Sequence, residues 1–161
     1  DFVEYYDKFF NAGREGGSLE FIESMRNEMV YSIQTGLSEI AKIQTIAVLV
    51  TFVAGPSVLE LLGISQLYLP LLHVQVVGTG LQVGVMAVLN IFFYLNERRI
   101  ILMLCTLMLV LNIAFTAVSL ALGAAFYGYG FTLAMLVTLC VGLVCLTRSM
   151  DRLEYRTFML Q

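Results

Sequence analysis

Long stretches without a charged side chain dominate this sequence. Residues 62–95 and 100–147 contain no Asp, Glu, Lys or Arg. A helix needs roughly 20 consecutive apolar residues to cross the hydrocarbon core of a bilayer, so the second stretch is long enough to cross twice. A soluble domain of this size would lack the polar surface needed to cover so many apolar side chains. The pattern therefore predicts an all-α integral membrane protein.

Turn residues and charged positions divide the apolar sequence into four predicted spans. We expect these at residues 39–54, 68–93, 100–122 and 131–146. Gly55 and Pro56 are expected to end or kink the first span, and residues 58–62 to form a short separate helical turn at the membrane surface. An uncharged aromatic turn at 123–130 connects the last two spans. The predicted transmembrane bundle of four helices occupies residues 42–147.

An amphipathic helix precedes the first span. Apolar residues recur every three or four positions between Leu19 and Ile40, which is the spacing of one face of an α-helix. A shorter aromatic helix lies before it, and a glycine-rich break at 13–17 separates the two. Residues 1–41 are therefore predicted to form a cytoplasmic helical hairpin. It lies on the membrane, packs under the bundle or binds a partner.

The basic residues alternate strictly between turns. All nine Lys and Arg residues fall before Ile43, in the turn between the second and third spans, or after Thr147. They are Lys8, Arg14, Arg26, Lys42, Arg98, Arg99, Arg148, Arg152 and Arg156. The other two turns have none. Because basic residues stay on the cytoplasmic side, both termini of this chain are predicted to be cytoplasmic, with residues 148–161 as a cytoplasmic tail.

Composition excludes several classes of protein. Hydrophobic residues make up 59% of the chain and charged residues 13%, whereas about 25% are charged in an ordinary soluble domain. No basic patch indicates a nucleic-acid partner, and membrane lipid is the expected surrounding. Cys105, Cys140 and Cys145 all lie inside apolar runs. They are interpreted as packed free thiols, since their spacing suits neither a disulfide framework nor a metal site.

Candidate catalytic groups are scarce. His73 is the only histidine, and Glu60 is the only acid between Lys42 and Glu97. A proton- or ion-coupling site at Glu60 is the sharper interpretation, but its position close after Gly55 and Pro56 favours the headgroup region. We therefore predict no catalytic residue, no metal ligand and no cofactor, and expect the protein not to be an enzyme.

Small and amide residues mark the second and third spans. Gly80 and Gly84 have the small-xxx-small spacing that lets helix backbones approach closely, and are predicted packing positions. Gln82, Asn90 and Asn112 are uncharged polar residues at membrane depth. They suit either hydrogen bonds between helices or a hydrated lumen compatible with sugars.

Four segments of the sequence resemble one known family. They are DFVEYY at 1–6, IAKIQ at 40–44, FYGYGF at 126–131 and LEYRTFMLQ at 153–161, the last being the most specific. Together they resemble, over the whole chain, the PelG family of inner-membrane transporters from the Pel exopolysaccharide machinery. That family is similar to the polysaccharide flippase superfamily, whose members generally have twelve or more helices. The resemblance implies that this chain is the C-terminal part of such a transporter, with residues missing upstream of Asp1.

The resemblance also implies a function and partners. The expected function is export of a nascent polysaccharide across the bacterial inner membrane, with PelD, PelE and PelF-like proteins as partners. In that role Gln82, Asn90 and Asn112 are candidates for the substrate pathway. One alternative is a non-transporting membrane scaffold that anchors a soluble polysaccharide synthase. Another is a free-standing four-helix drug exporter, which would require a membrane-embedded acid that the first span lacks.

Overall fold

The described part of the chain is almost entirely α-helical. The computed structural model describes residues 19–159, which contain helices and turns but no β-strand. Four α-helices follow one another: α1 (Leu19–Leu61), α2 (Leu69–Tyr94), α3 (Arg98–Leu122) and α4 (Tyr129–Met159). Short 3₁₀ turns at Gln66–Tyr68 and Ala124–Phe126 precede α2 and α4.

All four helices are long and apolar enough to cross a membrane. The candidate spans are Asn27–Leu61, Gln66–Tyr94, Arg98–Leu122 and Tyr129–Met150, with mean hydropathies of 1.6, 1.9, 2.5 and 2.2. Large apolar side chains are widely exposed on them, for example Val53 at 83% and Leu102 at 70%. Such exposure is expected of surfaces that contact lipid. The predicted all-α fold with four spans is confirmed.

Helix α1 differs from the prediction at its C-terminal end. It continues through Pro56 to Leu61, so an end at Gly55 and the separate turn expected at 58–62 are both wrong, and a kink at Gly55 and Pro56 stays a prediction. Proline lacks one backbone donor, and the remaining hydrogen bonds of the helix can still form around it.

Helix α1 ends just before Gly63, whose φ is +68°. Glycine adopts this left-handed conformation without strain, whereas other residue types adopt it only at a cost in energy. The Ile64 amide donates to the Leu59 carbonyl at 2.9 Å, and the Gly63 amide donates to the Glu60 carbonyl at 3.0 Å. These two bonds satisfy carbonyls that the helix end would otherwise leave unpaired.

The N-terminal part of α1 also changes the expected arrangement. The amphipathic segment and the first span are one continuous helix that begins at Leu19. The shorter aromatic helix of the predicted hairpin lies outside the described residues.

The other helix boundaries agree closely with the sequence. The spans expected at 68–93 and 100–122 correspond to α2 and α3 within two residues at each end. The fourth span is predicted at 131–146, or from as early as residue 126; helix α4 begins between these two starts, at Tyr129, and continues to Met159, and Tyr129–Met150 is its candidate span. The charged residues after Thr147 do not end the helix, because a helix can carry charge once it has left the hydrocarbon.

The chain divides into two compact units. One comprises Asp1–Glu39 and Val144–Gln161, and the other comprises Ile40–Leu143. The buried apolar side chains in the described part of the first unit are Met29, Ile33, Leu146 and Met150. Each helix contributes two of them, four positions apart, so each presents them on a single face.

The core of the unit Ile40–Leu143 is formed mainly by α2, α3 and α4. Its buried apolar residues include Val85, Val88, Phe92, Leu104, Ala134 and Met135. A Cβ atom added at Gly142 of α4 would lie 3.2 Å from Val88 of α2 and 3.7 Å from Leu104 of α3. The three helices therefore meet around Gly142.

Candidate functional site

Four polar side chains of α2 share one face of the helix. Gln75, Thr79, Gln82 and Asn90 are separated by four, three and eight positions, which places them within about 80° at 100° per residue. Gln75, Thr79 and Asn90 are exposed and Gln82 is half-buried. We call this set the amide face of α2. The buried face of the helix, with Val85, Val88 and Phe92, lies on another side.

The amide groups of this face have no protein partner among the described residues. The Thr79 hydroxyl donates to the Gln75 backbone carbonyl at 2.8 Å, which leaves the Gln75 side chain unused. No hydrogen bond joins the side chains of Gln75, Gln82 or Asn90 to the part of the chain that the structure describes.

An amide that faces hydrocarbon without a partner is costly. Its transfer from water costs about 4–8 kcal/mol against cyclohexane and about 1–3 kcal/mol by protein mutational data. Gln82, at the middle of α2, would carry this cost in full, whereas Gln75 and Asn90, which lie nearer the helix ends, would carry part of it. The amide face of α2 is therefore unsuited to lipid and suited to water or to a polar partner.

Asn112 has a different environment on α3. It is half-buried, and its Oδ1 accepts a hydrogen bond from the Thr116 hydroxyl at 3.1 Å. The Ser119 hydroxyl donates to the Thr116 carbonyl at 2.9 Å. Asn112, Thr116 and Ser119 thus form a short row of polar residues whose hydrogen bonds stay within α3. No hydrogen bond connects it to Gln82 or Asn90 in the described range 19–159.

The predicted packing glycines lie against different neighbours. A Cβ atom at Gly80 would lie 3.6 Å from Gln44 Oε1 and 3.9 Å from Val48, both on α1, which is ordinary contact. At Gly84 it would lie 3.2 Å from a methyl group of Leu139 on α4, which is tighter than most contacts.

The closest helix approaches occur at two other glycines. At Gly78, a Cβ atom would lie 2.6 Å from the Thr132 hydroxyl oxygen. At Gly130, it would lie 2.6 Å from backbone atoms of Phe115 and 2.7 Å from the Thr116 nitrogen. Sequence reasoning placed Gly130 in a turn and missed its packing role, since the identity of the crossing backbone is tertiary information.

One side-chain hydrogen bond ties α2 to α4. The Thr132 hydroxyl donates to the Val74 carbonyl at 3.0 Å, and the Gly128 carbonyl, 3.2 Å away, is a second acceptor within reach of the same hydroxyl. Such a bond holds the two helices in register where the side chains of Phe131 and Thr132 pack against Gly78.

His73 is a residue of α2 whose ring packs against α1. Its ring stacks on Phe52 with centroids 4.0 Å apart and planes at 10°. The His73 Nε2 atom is buried and accepts or donates no hydrogen bond among the described residues. Glu60 is exposed near the end of α1.

Among the described residues there is no group of three or more His, Cys, Asp or Glu side chains that could hold a metal ion. Cys105 and Cys145 are half-buried, Cys140 is exposed, and all three are free thiols.

The four apolar helices define a multi-pass α-helical membrane protein. The sequence matches the PelG family, described as "Putative exopolysaccharide Exporter (EPS-E)", over residues 1–158, and the chain belongs to this family. The family resemblance inferred from the sequence is thereby confirmed. The family description names a transport role and no catalytic one. No curated protein matches the chain, and no solved structure matches it.

Proposed function

We propose that this chain forms part of a transporter that moves a nascent polysaccharide across the bacterial inner membrane, and that the amide face of α2 lines its path. Membership of an exporter family supports the direction of the proposal. The observation that carries the pathway is the row of unpartnered amides on α2, because these groups need water or a polar ligand at membrane depth.

Amide side chains match the chemistry of a glycan. Each offers one acceptor oxygen and two donor hydrogens, which suit the hydroxyl groups of sugars. They carry no charge, so they do not add the much larger cost of burying an ion in the membrane. A long hydrophilic chain can exchange one such hydrogen bond for the next as it advances.

The proposed orientation places the turn with Arg98 and Arg99 and both ends of this chain in the cytoplasm. The amide face then runs from Gln75 near the outer surface to Asn90 near the inner one. Asn112 of α3 is assigned to the same pathway, with its local bond to Thr116 available for exchange with a sugar hydroxyl. PelD, PelE and PelF-like proteins are the proposed partners on the cytoplasmic side.

The test replaces the pathway amides while keeping their size. The variant Gln82→Leu, Asn90→Leu, Asn112→Leu should reach normal membrane levels and lose most polysaccharide secretion. The matched control is Gln44→Leu, which removes a half-buried amide of α1 beside Gly80 and should leave secretion near normal. Secretion is measured per unit of protein found in the membrane. Normal secretion from the triple variant would contradict the proposed pathway.

A scaffold that anchors a synthase is the second candidate. The first part of α1 carries an exposed polar face that includes Asn27, Gln34 and Ser38, and Tyr31 on it is 68% exposed. A scaffold would tolerate the triple variant and would fail when this face is changed. Replacing Tyr31 and Gln34 by Ala and measuring secretion in parallel therefore separates the two functions.

A further inference from the structure

The turn between α3 and α4 presents three exposed aromatic side chains on a fixed backbone. Phe126, Tyr127 and Tyr129 are 46%, 43% and 51% exposed. The Phe126 amide donates to the Gly123 carbonyl at 3.0 Å, and the Tyr127 amide donates to the Ala124 carbonyl at 3.3 Å. These bonds hold the backbone, so the rings are positioned before any ligand arrives.

The rings of Phe126 and Tyr129 do not cover each other. Their centroids are 6.2 Å apart and their planes are inclined at 58°. Each ring keeps about half of its surface exposed. A tilted pair with free surface can receive a flat apolar ligand face, whereas a closed stack could not.

The first amide of α2 lies directly beside this turn. Gln75 Oε1 is 3.6 Å from the position that a Cβ atom at Gly128 would occupy, and Leu71 Cδ1 is 3.0 Å from it. The hydrogen bond from Thr132 to the Val74 carbonyl fixes α2 and α4 at the same level. An exposed amide therefore lies beside the turn that carries the exposed aromatic rings, at the end of the unit Ile40–Leu143 that lies opposite Arg98 and Arg99.

Charge is absent from the sequence around this site. Residues 62–95 and 100–147, which contain both Gln75 and the turn, have no Asp, Glu, Lys or Arg. A site for an anionic sugar would need a basic side chain to offset the lost hydration of the carboxylate. This setting favours a neutral ligand with an apolar face and a hydroxylated edge.

We propose that Gln75, Phe126, Tyr127 and Tyr129 form a sugar-binding subsite that takes uncharged pyranose rings at the outer end of the amide face. The C–H face of the sugar packs on the aromatic rings. The Gln75 amide and the tyrosine hydroxyls bind its hydroxyl groups. The inference rests on the proposed transport function and adds to it the class of sugar residue that the path accepts.

Binding can be followed directly because the chain contains no tryptophan. Phe126→Trp keeps an aromatic ring and every hydroxyl of the subsite, and introduces a single fluorescent reporter into the full chain, which is then placed in lipid vesicles. The probes are chitotetraose, a neutral oligosaccharide, and tetragalacturonate, an anionic one. Chitotetraose should change the tryptophan emission in a saturable manner, and tetragalacturonate at the same concentrations should not.

Two variants test whether the emission change comes from the subsite. Gln75→Leu in the reporter background should weaken chitotetraose binding about fivefold, as expected for one lost hydrogen bond. Tyr127→Ala should weaken it at least as much. Phe93→Ala is the control, since it removes an aromatic ring that is 64% exposed at the opposite end of α2. It should leave binding unchanged.

Several results would overturn the subsite. They are the absence of a saturable change, an equal response to both oligosaccharides, and a response that Gln75→Leu and Tyr127→Ala leave unaltered in folded protein. Aromatic residues that only contact lipid headgroups at the membrane surface would give no saturable change. Failure of the pathway is distinguishable, because the triple variant of Gln82, Asn90 and Asn112 would then secrete normally while chitotetraose still bound.

Discussion

The contact between Gly130 and α3 should make Gly130→Ala strongly destabilising. The added Cβ atom would lie 2.6 Å from the carbonyl carbon and oxygen of Phe115, whereas ordinary contact begins at 3.4 Å. These are backbone atoms, so no side chain can rotate away. Helices α3 and α4 would have to separate by most of an ångström at this point.

The size of the effect follows from the packing lost. A gap of about 0.5–1 Å forfeits a quarter to a half of each van der Waals contact across it. Insertion of extra carbon atoms into a packed core typically costs about 1–3 kcal/mol. We expect a loss of about 2 kcal/mol, which lowers the ratio of folded to unfolded protein by roughly 30-fold.

The matched control is Gly80→Ala on α2. The new methyl group there would meet Gln44 Oε1 at 3.6 Å, an ordinary distance. The free energy of unfolding should change by less than about 1 kcal/mol, with a gain favoured by the higher helix propensity of alanine. The assay is reversible unfolding by SDS in mixed micelles, followed by circular dichroism. Equal stabilities of the two variants would refute the close approach of α3 and α4.

Two further predictions concern orientation and interhelical bonding. In a background free of native thiols, Ser65→Cys should react with a membrane-impermeant maleimide added outside intact spheroplasts, and Glu97→Cys should not; the reverse result would invert the proposed topology. Thr132→Val should lower the free energy of unfolding by about 0.6 kcal/mol, because it removes the bond to the Val74 carbonyl. Thr51→Val, whose hydroxyl donates only to its own helix, is the control and should cost less; equal costs would argue against a stabilising α2–α4 bond.

The positions of α2 and α3 could be predicted because apolar residues give way abruptly to polar and charged ones in the turn that separates the two helices. Arg98 and Arg99 open α3 just after the polar turn that ends α2, and residues 69–95 and 100–122 contain no charged side chain. The end of α1 was not predictable from Pro56, because the loss of one donor there is local. The observed end depends instead on Gly63 and its left-handed conformation.

The candidate site could be predicted only in part. Gln82 and Asn90 are conspicuous in the sequence as amides within an uncharged stretch, and helical spacing groups them with Gln75. The proximity of Gln75 to Gly128 depends on how α2 and α4 cross, and nothing in the local sequence specifies that crossing. The packing role of Gly130 could not be predicted either, because it depends on how α3 and α4 cross.

The unbroken course of α1 bears on hydrophobic mismatch. Its 43 residues extend for roughly 65 Å, about twice the thickness of a hydrocarbon core. The backbone hydrogen bonds of α1 stay within the helix, apart from the donor missing at Pro56. The helix also continues without a break near Lys42, where the polar part of the sequence gives way to the apolar part. The exposed Lys42 side chain can extend to reach water from different depths. Because Phe52 of α1 stacks on His73 of α2, α1 is expected to tilt together with α2 in bilayers of different thickness, at a fraction of a kcal/mol for each ångström of mismatch.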